Sequence, residues 1–243
     1  MREQPEQQAP PVQRLRIRYA KRGRMRFTSH RDFSRAFERA MSRARVPVAY
    51  SSGFTPHPRI SYAGAAPTGA ASEGEYLEIG LAQEVDPARL ARDLDAALPA
   101  GLDVLEVVTA RGGTLADRLE ASVWRLTVRG WADGQGRSAV DAFLAAEEVP
   151  VSRLTKKGMR TFDARGAVLS LCVTEEQDRC AILELVLRHG TPSVRPDDVL
   201  AGLRQIAGLD VSAAPLFERL AQGPLEPETG TVGDPLAPDR DTA

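Results

Sequence analysis

The chain has 243 residues with 32 Lys+Arg against 33 Asp+Glu, a formal net charge of −1, and an ordinary 42% of hydrophobic residues. That length suits two domains of roughly 100–150 residues. No apolar run approaches the ~20 residues of a membrane span, and Met1-Arg2-Glu3-Gln4-Pro5 is too polar to begin a secretory signal, so a cytoplasmic protein without a membrane partner is expected. Cys172 and Cys180 lie too far apart for a C-x-x-C pair and have no companions. A disulfide framework, a disulfide-linked partner, and a zinc or iron–sulfur site built from this chain are therefore not expected. The two are read as packed thiols in a reducing compartment.

Residues 1–12, rich in Gln, Glu and Pro, and residues 223–243, rich in Pro, Gly, Asp and Thr, are expected to be disordered tails. Between them, Leu15, Ile17 and Tyr19 alternate with Arg14, Arg16 and Arg18, the period of a strand with its apolar face inward and its arginines outward. Lys21 to Arg24 reads as a turn, and Met25-Arg26-Phe27 as a possible return to the strand. Ser29 and Asp32 have the spacing of a helix N-terminal cap. The helix that follows puts Phe33, Ala36, Phe37, Ala40, Met41 and Ala44 on one face and Arg31, Arg35, Arg39 and Arg43 on the other. Strands are expected at 59–63 and 75–81, a helix from Asp86-Pro87, and a strand at 102–108.

The second half repeats the succession, with a strand at 123–128, a helix near 139–147, strands near 151–154, 168–173 and 182–187, a helix from Pro196, and a last strand near 211–216. The expected fold is α+β, two tandem ferredoxin-like βαββαβ domains over residues 13–110 and 121–222.

Charge is concentrated in the first of these. From Arg14 to Arg45 there are twelve Lys/Arg and two acids, Asp32 and Glu38, a local balance of +10, so the remainder carries −11. Arginine outnumbers lysine twenty-nine to three along the whole chain, so the location of the charge carries information and the choice of arginine does not. So many like charges favour a polyanion or an acidic partner. Phe27, Tyr50, Phe54 and Tyr62 are interspersed and suit stacking on bases, against the plainer reading of loop and core anchors. The loop Ser51-Ser52-Gly53-Phe54-Thr55-Pro56-His57-Pro58-Arg59 holds His57 between two prolines that fix its neighbours' backbone. His57 suits ligand contact or proton transfer, but the sequence supplies no unambiguous orienting group. His30 is a second histidine candidate, at a helix start, and His189 reads as a strand-end residue. Gly64-Ala65-Ala66-Pro67-Thr68-Gly69 is small enough to approach a ligand closely. With no Walker A or G-x-G-x-x-G pattern, ATP and dinucleotide binding are disfavoured. Glu73, Glu75 and Glu78 are read as ion-pair partners for Arg35 or Arg39, ahead of a metal site. Lys156-Lys157-Gly158-Met159-Arg160 is a further short basic segment.

At these residues the chain resembles a known family. Lys21-x-Gly23-x-x-Arg26-Phe27-x-Ser29-His30-x-Asp32-Phe33, Arg35 to Ala40, and Tyr50-Ser51-x-Gly53-Phe54-x-Pro56-His57-Pro58 look like the radical-SAM-linked family of unknown function, and Ala66 to Gly69 with Ser72-Glu73-x-Glu75-Tyr76 extends the match. The resemblance covers about residues 14–215 and is more specific in the first half. It implies a unit fused to, or encoded beside, a radical SAM enzyme, in some relatives also near a ribonuclease of the E/G type. A radical SAM partner would carry the iron–sulfur cluster and SAM, since this chain has no C-x-x-x-C-x-x-C motif and no cofactor of its own is expected.

The reading that combines these features is a non-catalytic accessory protein that binds RNA or a radical SAM protein through the basic first domain. Its contact residues are Lys21, Arg24, Arg26, His30, Arg31, Arg35, Arg39, Gly53, Phe54, His57, Pro58 and Arg59. The enzyme rival is a metal-independent endoribonuclease using His57 with Tyr50 or Lys21, by fold-level analogy to CRISPR repeat-processing endoribonucleases. A third reading is a protein–protein adaptor without RNA.

Overall fold

The computed structural model describes residues 7–155, 158–209, 213–226 and 228–240. The chain is a mixed α+β protein that divides into two compact units, residues 1–118 with 235–243, and residues 119–234. In the first unit the order is β1 (Gln13–Lys21), α1 (His30–Arg43), β2 (Ile60–Ala63), β3 (Ala71–Leu81), α2 (Pro87–Ala97) and β4 (Leu102–Thr109). Its strands pair antiparallel in the spatial order β4-β1-β3-β2. The local signals act as expected. Ser29 Oγ accepts from the Asp32 N–H at 3.2 Å and starts α1, and Asp86 accepts from the Ala88 and Arg89 N–H groups ahead of Pro87 to start α2.

Leu15, Ile17 and Tyr19 of β1 meet Phe33, Phe37 and Met41 of α1 and Leu77, Ile79 and Leu81 of β3 in one buried core. Tyr19 stacks on Phe33 with ring centroids 4.5 Å apart, and Phe33 on Phe37 at 5.8 Å. Truncating a fully buried ring such as Phe37 costs about 3–5 kcal/mol, so this cluster fixes α1 on the sheet and points its other face outward.

The opposite face of β1 differs from the expectation. Arg16 is fully buried rather than exposed. Its Nε donates to Glu78 at 2.9 Å, its Nη1 to Asp239 at 2.8 Å, and its Nη2 to the Gly113 carbonyl at 2.8 Å. Asp239 also accepts from Arg118 Nη1 at 2.6 Å and from the Arg111 N–H at 2.7 Å. Burial works against both charges. The bonds from Arg118 and Arg16 nevertheless hold the Asp239 carboxyl below the usual carboxylate range, and those to Asp239 and Glu78 hold Arg16 above its ordinary value.

Asp239 lies in the 223–243 stretch expected to be a disordered tail. Residues 235–240 instead belong to the first unit, with a short 3₁₀ turn at Ala237–Asp239 and Arg240 paired to Glu106 at 2.7 Å. The composition has no core-forming run, but the Asp239 carboxylate on a buried guanidinium, the Arg240–Glu106 pair and the buried Leu236 anchor it. A second difference is at Gly23–Phe27, which forms a 3₁₀ helix rather than rejoining the strand. Gly23 takes φ 53°, and the Met25 N–H bonds back to the Arg22 carbonyl at 3.0 Å.

The second unit runs β5 (Ala121–Arg129), α3 (Gln135–Ala145), β6 (Pro150–Thr155), β7 (Gly158–Asp163), β8 (Val168–Gln177), β9 (Cys180–Arg188), α4 (Pro196–Ala207) and β10 (Leu216–Gly223). Strands pair antiparallel in the order β10-β5-β9-β8, while β6 and β7 form a separate hairpin. The basic pair Lys156-Lys157 and the expected strand start at Val211 lie outside the described residues. Gly202 of α4 allows close packing, since a Cβ there would meet Val149 Cγ1 at 2.7 Å and Phe143 at 3.0 Å. Both cysteines are free, and Cys172 is exposed rather than packed.

His189, just beyond β9, is more than a strand end. Its Nδ1 meets the Leu119 carbonyl at 2.8 Å and its Nε2 meets Ser122 Oγ at 2.9 Å, while Trp124 Nε1 donates to the same hydroxyl at 2.8 Å. Burial of the ring, with Arg219 adding, pushes its pKa down against the Leu119 bond.

Candidate functional site

The outward face of α1 carries Arg31, Arg35 and Arg39, all exposed. Among the described residues none of the three enters an ion pair, and neither does Arg24 or Arg45. The acids expected to neutralise them are committed elsewhere. Glu73 binds Arg22, with Nε to Oε1 at 2.6 Å, Glu78 binds Arg14 and Arg16, and buried Glu75 accepts from the Ala66 N–H at 3.1 Å. Arg22 also donates to Asp103 at 2.9 Å, and the two carboxylates hold its pKa above the ordinary value against a small burial effect. The basic stretch therefore separates into Arg14, Arg16 and Arg22, which carboxylates neutralise, and the exposed Arg31, Arg35 and Arg39, which none of the described residues neutralises. No group of three metal-ligating side chains occurs among the described residues.

Three rings border the helix arginines in sequence. Phe27 is 60% exposed with the Arg26 guanidinium 4.7 Å from its centroid, Tyr50 is 47% exposed, and Phe54 is 73% exposed. Exposed rings of this size next to uncompensated guanidinium groups suit a ligand with both flat and anionic parts. Tyr62 behaves differently. It is packed against His30 at 4.7 Å and Phe33 at 5.9 Å, and burial first, with the Glu38 charge, raises its pKa against Ser34. It is a core anchor, and its contact holds His30 at the helix start.

The loop residues fall into place around a cross-strand bridge between Tyr50 and Pro58. The Ser51 N–H donates to the His57 carbonyl at 2.8 Å, and the His57 N–H donates to Ser51 Oγ at 3.0 Å. Gly53 has φ 128°, in the region that favours glycine, so Phe54 and His57 stand at an exposed loop tip. Arg59 is half-buried, its Nε donating to the Tyr50 carbonyl at 3.1 Å, so it braces the Tyr50 backbone.

One expectation is corrected. Lys21 is 5% exposed and directs its Nζ at the Ala66 and Pro67 carbonyls, 3.4 Å from each, which removes it from ligand contact and from the helpers of His57. The Gly64–Gly69 segment is held by those contacts and by the Gly69 N–H bonding the Arg26 carbonyl at 2.7 Å, while Gly64, Ala65 and Thr68 stay exposed.

The structure brings Arg35, Arg39, Tyr50 and Pro58 together in a groove of about 610 Å³ at the C-terminal end of α1, joined by Glu38 and Arg45. His30 and Arg31 lie at the other end of the helix, Arg31 roughly 12 Å from Arg39 along the axis at about 1.5 Å per residue.

Arg45 was not singled out from sequence. It sits just past the helix at φ 52°, with its N–H bonding the Ser42 carbonyl at 3.2 Å and the Val46 N–H the Met41 carbonyl at 3.0 Å. This is the paired-bond helix ending that glycine normally occupies. An L-residue there costs roughly 1–2 kcal/mol. The available signal was a helix ending with no glycine after it.

A mixed α+β protein with a basic, aromatic-bordered groove on its first unit is the class these features define. The chain belongs to the family described as "Uncharacterized protein conserved in bacteria (DUF2344)", which matches residues 14–196. No curated protein sequence matches it. Among solved structures it is similar to a chain of a Cbf5-Nop10-Gar1 complex, at 11% identity and TM-score 0.47, over 93% of this chain and 56% of that one. It is similar also to a chain of an H/ACA RNP bound to a substrate RNA containing 2′-deoxyuridine, at 11% identity and TM-score 0.41, over 88% and 49%. The first two RRM domains of yeast poly(U) binding protein (Pub1) align at 11% identity and TM-score 0.20, over 85% and 98%. The chain spans about half the length of the first two.

Proposed function

We propose that this protein is a non-catalytic, cytoplasmic accessory protein of two ferredoxin-like domains that binds RNA through the α1 face of the first, in the service of a radical SAM enzyme. The observation that carries the RNA part is the exposed row Arg31, Arg35 and Arg39, without ion-pair partners among the described residues, with the exposed Tyr50 sharing a groove with Arg35 and Arg39. Guanidinium groups neutralise phosphates, and open rings stack on unpaired bases. The link to a radical SAM enzyme rests on the sequence resemblance. The cluster and SAM would belong to that partner.

Binding of a single-stranded RNA, titrated by fluorescence anisotropy from 50 to 300 mM salt, tests the reading. The wild type is expected to lose affinity steeply with salt, and Arg35→Glu with Arg39→Glu to abolish binding. Salt-insensitive binding that the double variant retains would overturn it.

A second reading is favoured by the pinned backbone and open side chain of His57, which suit proton transfer to a bound strand, with Tyr50 nearby in the loop. Incubating the protein with RNA in EDTA separates the two. Cleavage lost in His57→Ala supports the nuclease, and intact bound RNA supports the accessory protein. Retention of an acidic protein after nuclease treatment, without RNA binding, supports the adaptor.

A further inference from the structure

The groove at the end of α1 is more specific than a basic surface. Arg35, Arg39 and Arg45 line it from one helix and its ending, and none is ion-paired among the described residues. Buried Met41 and half-buried Val46 and Val48 supply apolar lining. Tyr50 stands at its edge, its backbone fixed by the bridge to Pro58 and the bond from Arg59. Pockets for single small ligands are about 300–1,000 Å³, and this one, at about 610 Å³, falls within that range.

Resting on the RNA-binding reading, we propose that this groove holds one nucleotide of a single-stranded RNA, with its phosphate on Arg35, Arg39 and Arg45 and its base against the Tyr50 ring. Neither inorganic phosphate nor a poly-glutamate chain uses the flat ring and apolar lining. Glu38 is the one carboxylate of the groove. It disfavours a second anion there and accepts a hydrogen bond from a base N–H or ribose hydroxyl, donors that nucleotides carry. The left-handed backbone of Arg45 fits the same role. A charged side chain occupies a position where glycine is cheaper, and its guanidinium lines the groove.

That backbone supplies a test in which loss of folding is not a confounder. Arg45→Gly is expected to raise Tm, because glycine accepts φ 52° without strain, while weakening binding of a single-stranded RNA 12-mer. The slope of log K against log salt should fall by about 0.7, the loss of one phosphate contact on a single strand. Tyr50→Ala should weaken binding roughly 5- to 150-fold, the equivalent of one lost base stack, with an unchanged salt slope. A poly-glutamate peptide should compete poorly.

If the wild type binds RNA but both variants match it in affinity and slope, the groove assignment falls while RNA binding stands. If the wild type binds no RNA, both fall. Competition by poly-glutamate equal to that by RNA would likewise overturn the nucleotide assignment and point to a protein partner.

Discussion

Strand β1 and helix α1 carry the same side chain at a regular repeat and use it in opposite ways. Arg14, Arg16 and Arg18 alternate along β1, and each finds an acceptor inside the first unit, in Glu78, Asp239 or the Glu73 carbonyl. Arg31, Arg35 and Arg39 recur every four residues along α1 and meet no carboxylate partner among the described residues. Residue type and spacing are therefore poor guides to whether an arginine is structural or available. What decides is whether another part of the chain covers the face. The C-terminal segment covers the outer face of β1 at Arg16, and Glu78 and the Glu73 carbonyl meet its neighbours, whereas the outer face of α1 is open.

The comparison breaks most easily at Asp239. Replacing it with Ala should cost about 3–5 kcal/mol in urea denaturation, because Arg16 is left charged and buried. The pair Arg16→Met with Asp239→Leu should recover only part of that loss, because Arg118 and the Arg111 N–H still lose their acceptor. A near-neutral Asp239→Ala would mean that the strand arginine is no more committed than the helix ones. Single changes of Arg31, Arg35 or Arg39 to Ala should each stay within about 0.5 kcal/mol in stability, while lowering the RNA salt slope by about 0.7 apiece. A helix variant that unfolds the protein would erase the contrast.

Acid should act on the two units separately. The Asp239 carboxyl titrates below its unfolded value of about 3.9, so its contribution is complete above that pH and is lost as pH falls through the folded value. His189 is also depressed, from about 6.5 unfolded. Its neutral form is favoured in the folded state, so the second unit should lose stability as pH falls from 6.5 toward the folded value. The effect is the smallest of the set because the residue is partly open to water. His189→Gln should flatten the loss of Tm between pH 7 and 5, and an unchanged slope would remove His189 as its source.

Much of this fold was legible because its signals are local. The Ser29 and Asp86 caps, the apolar stripe from Phe33 to Met41, and the alternation in β1 are all set by neighbouring residues and backbone geometry. The arginine row on α1 was legible for the same reason, since helical periodicity alone places it opposite the buried stripe. The β6–β7 hairpin, the 3₁₀ turn at Gly23–Phe27 and the fate of the C-terminal segment were harder, because each depends on what the segment packs against.

The sequence by itself determined which residues form the core of each element, and that positive charge is concentrated between Arg14 and Arg45. Only the tertiary structure decided which of those charges remain available. Arg16 and Asp239 are 223 positions apart, Lys21 is sealed by carbonyls from a loop 45 residues on, and Arg45 joins the groove through a backbone conformation that composition does not reveal. Helical and strand periods act over a few residues, whereas charge neutralisation acts through space, and only folding brings a carboxylate to a guanidinium or leaves it without one.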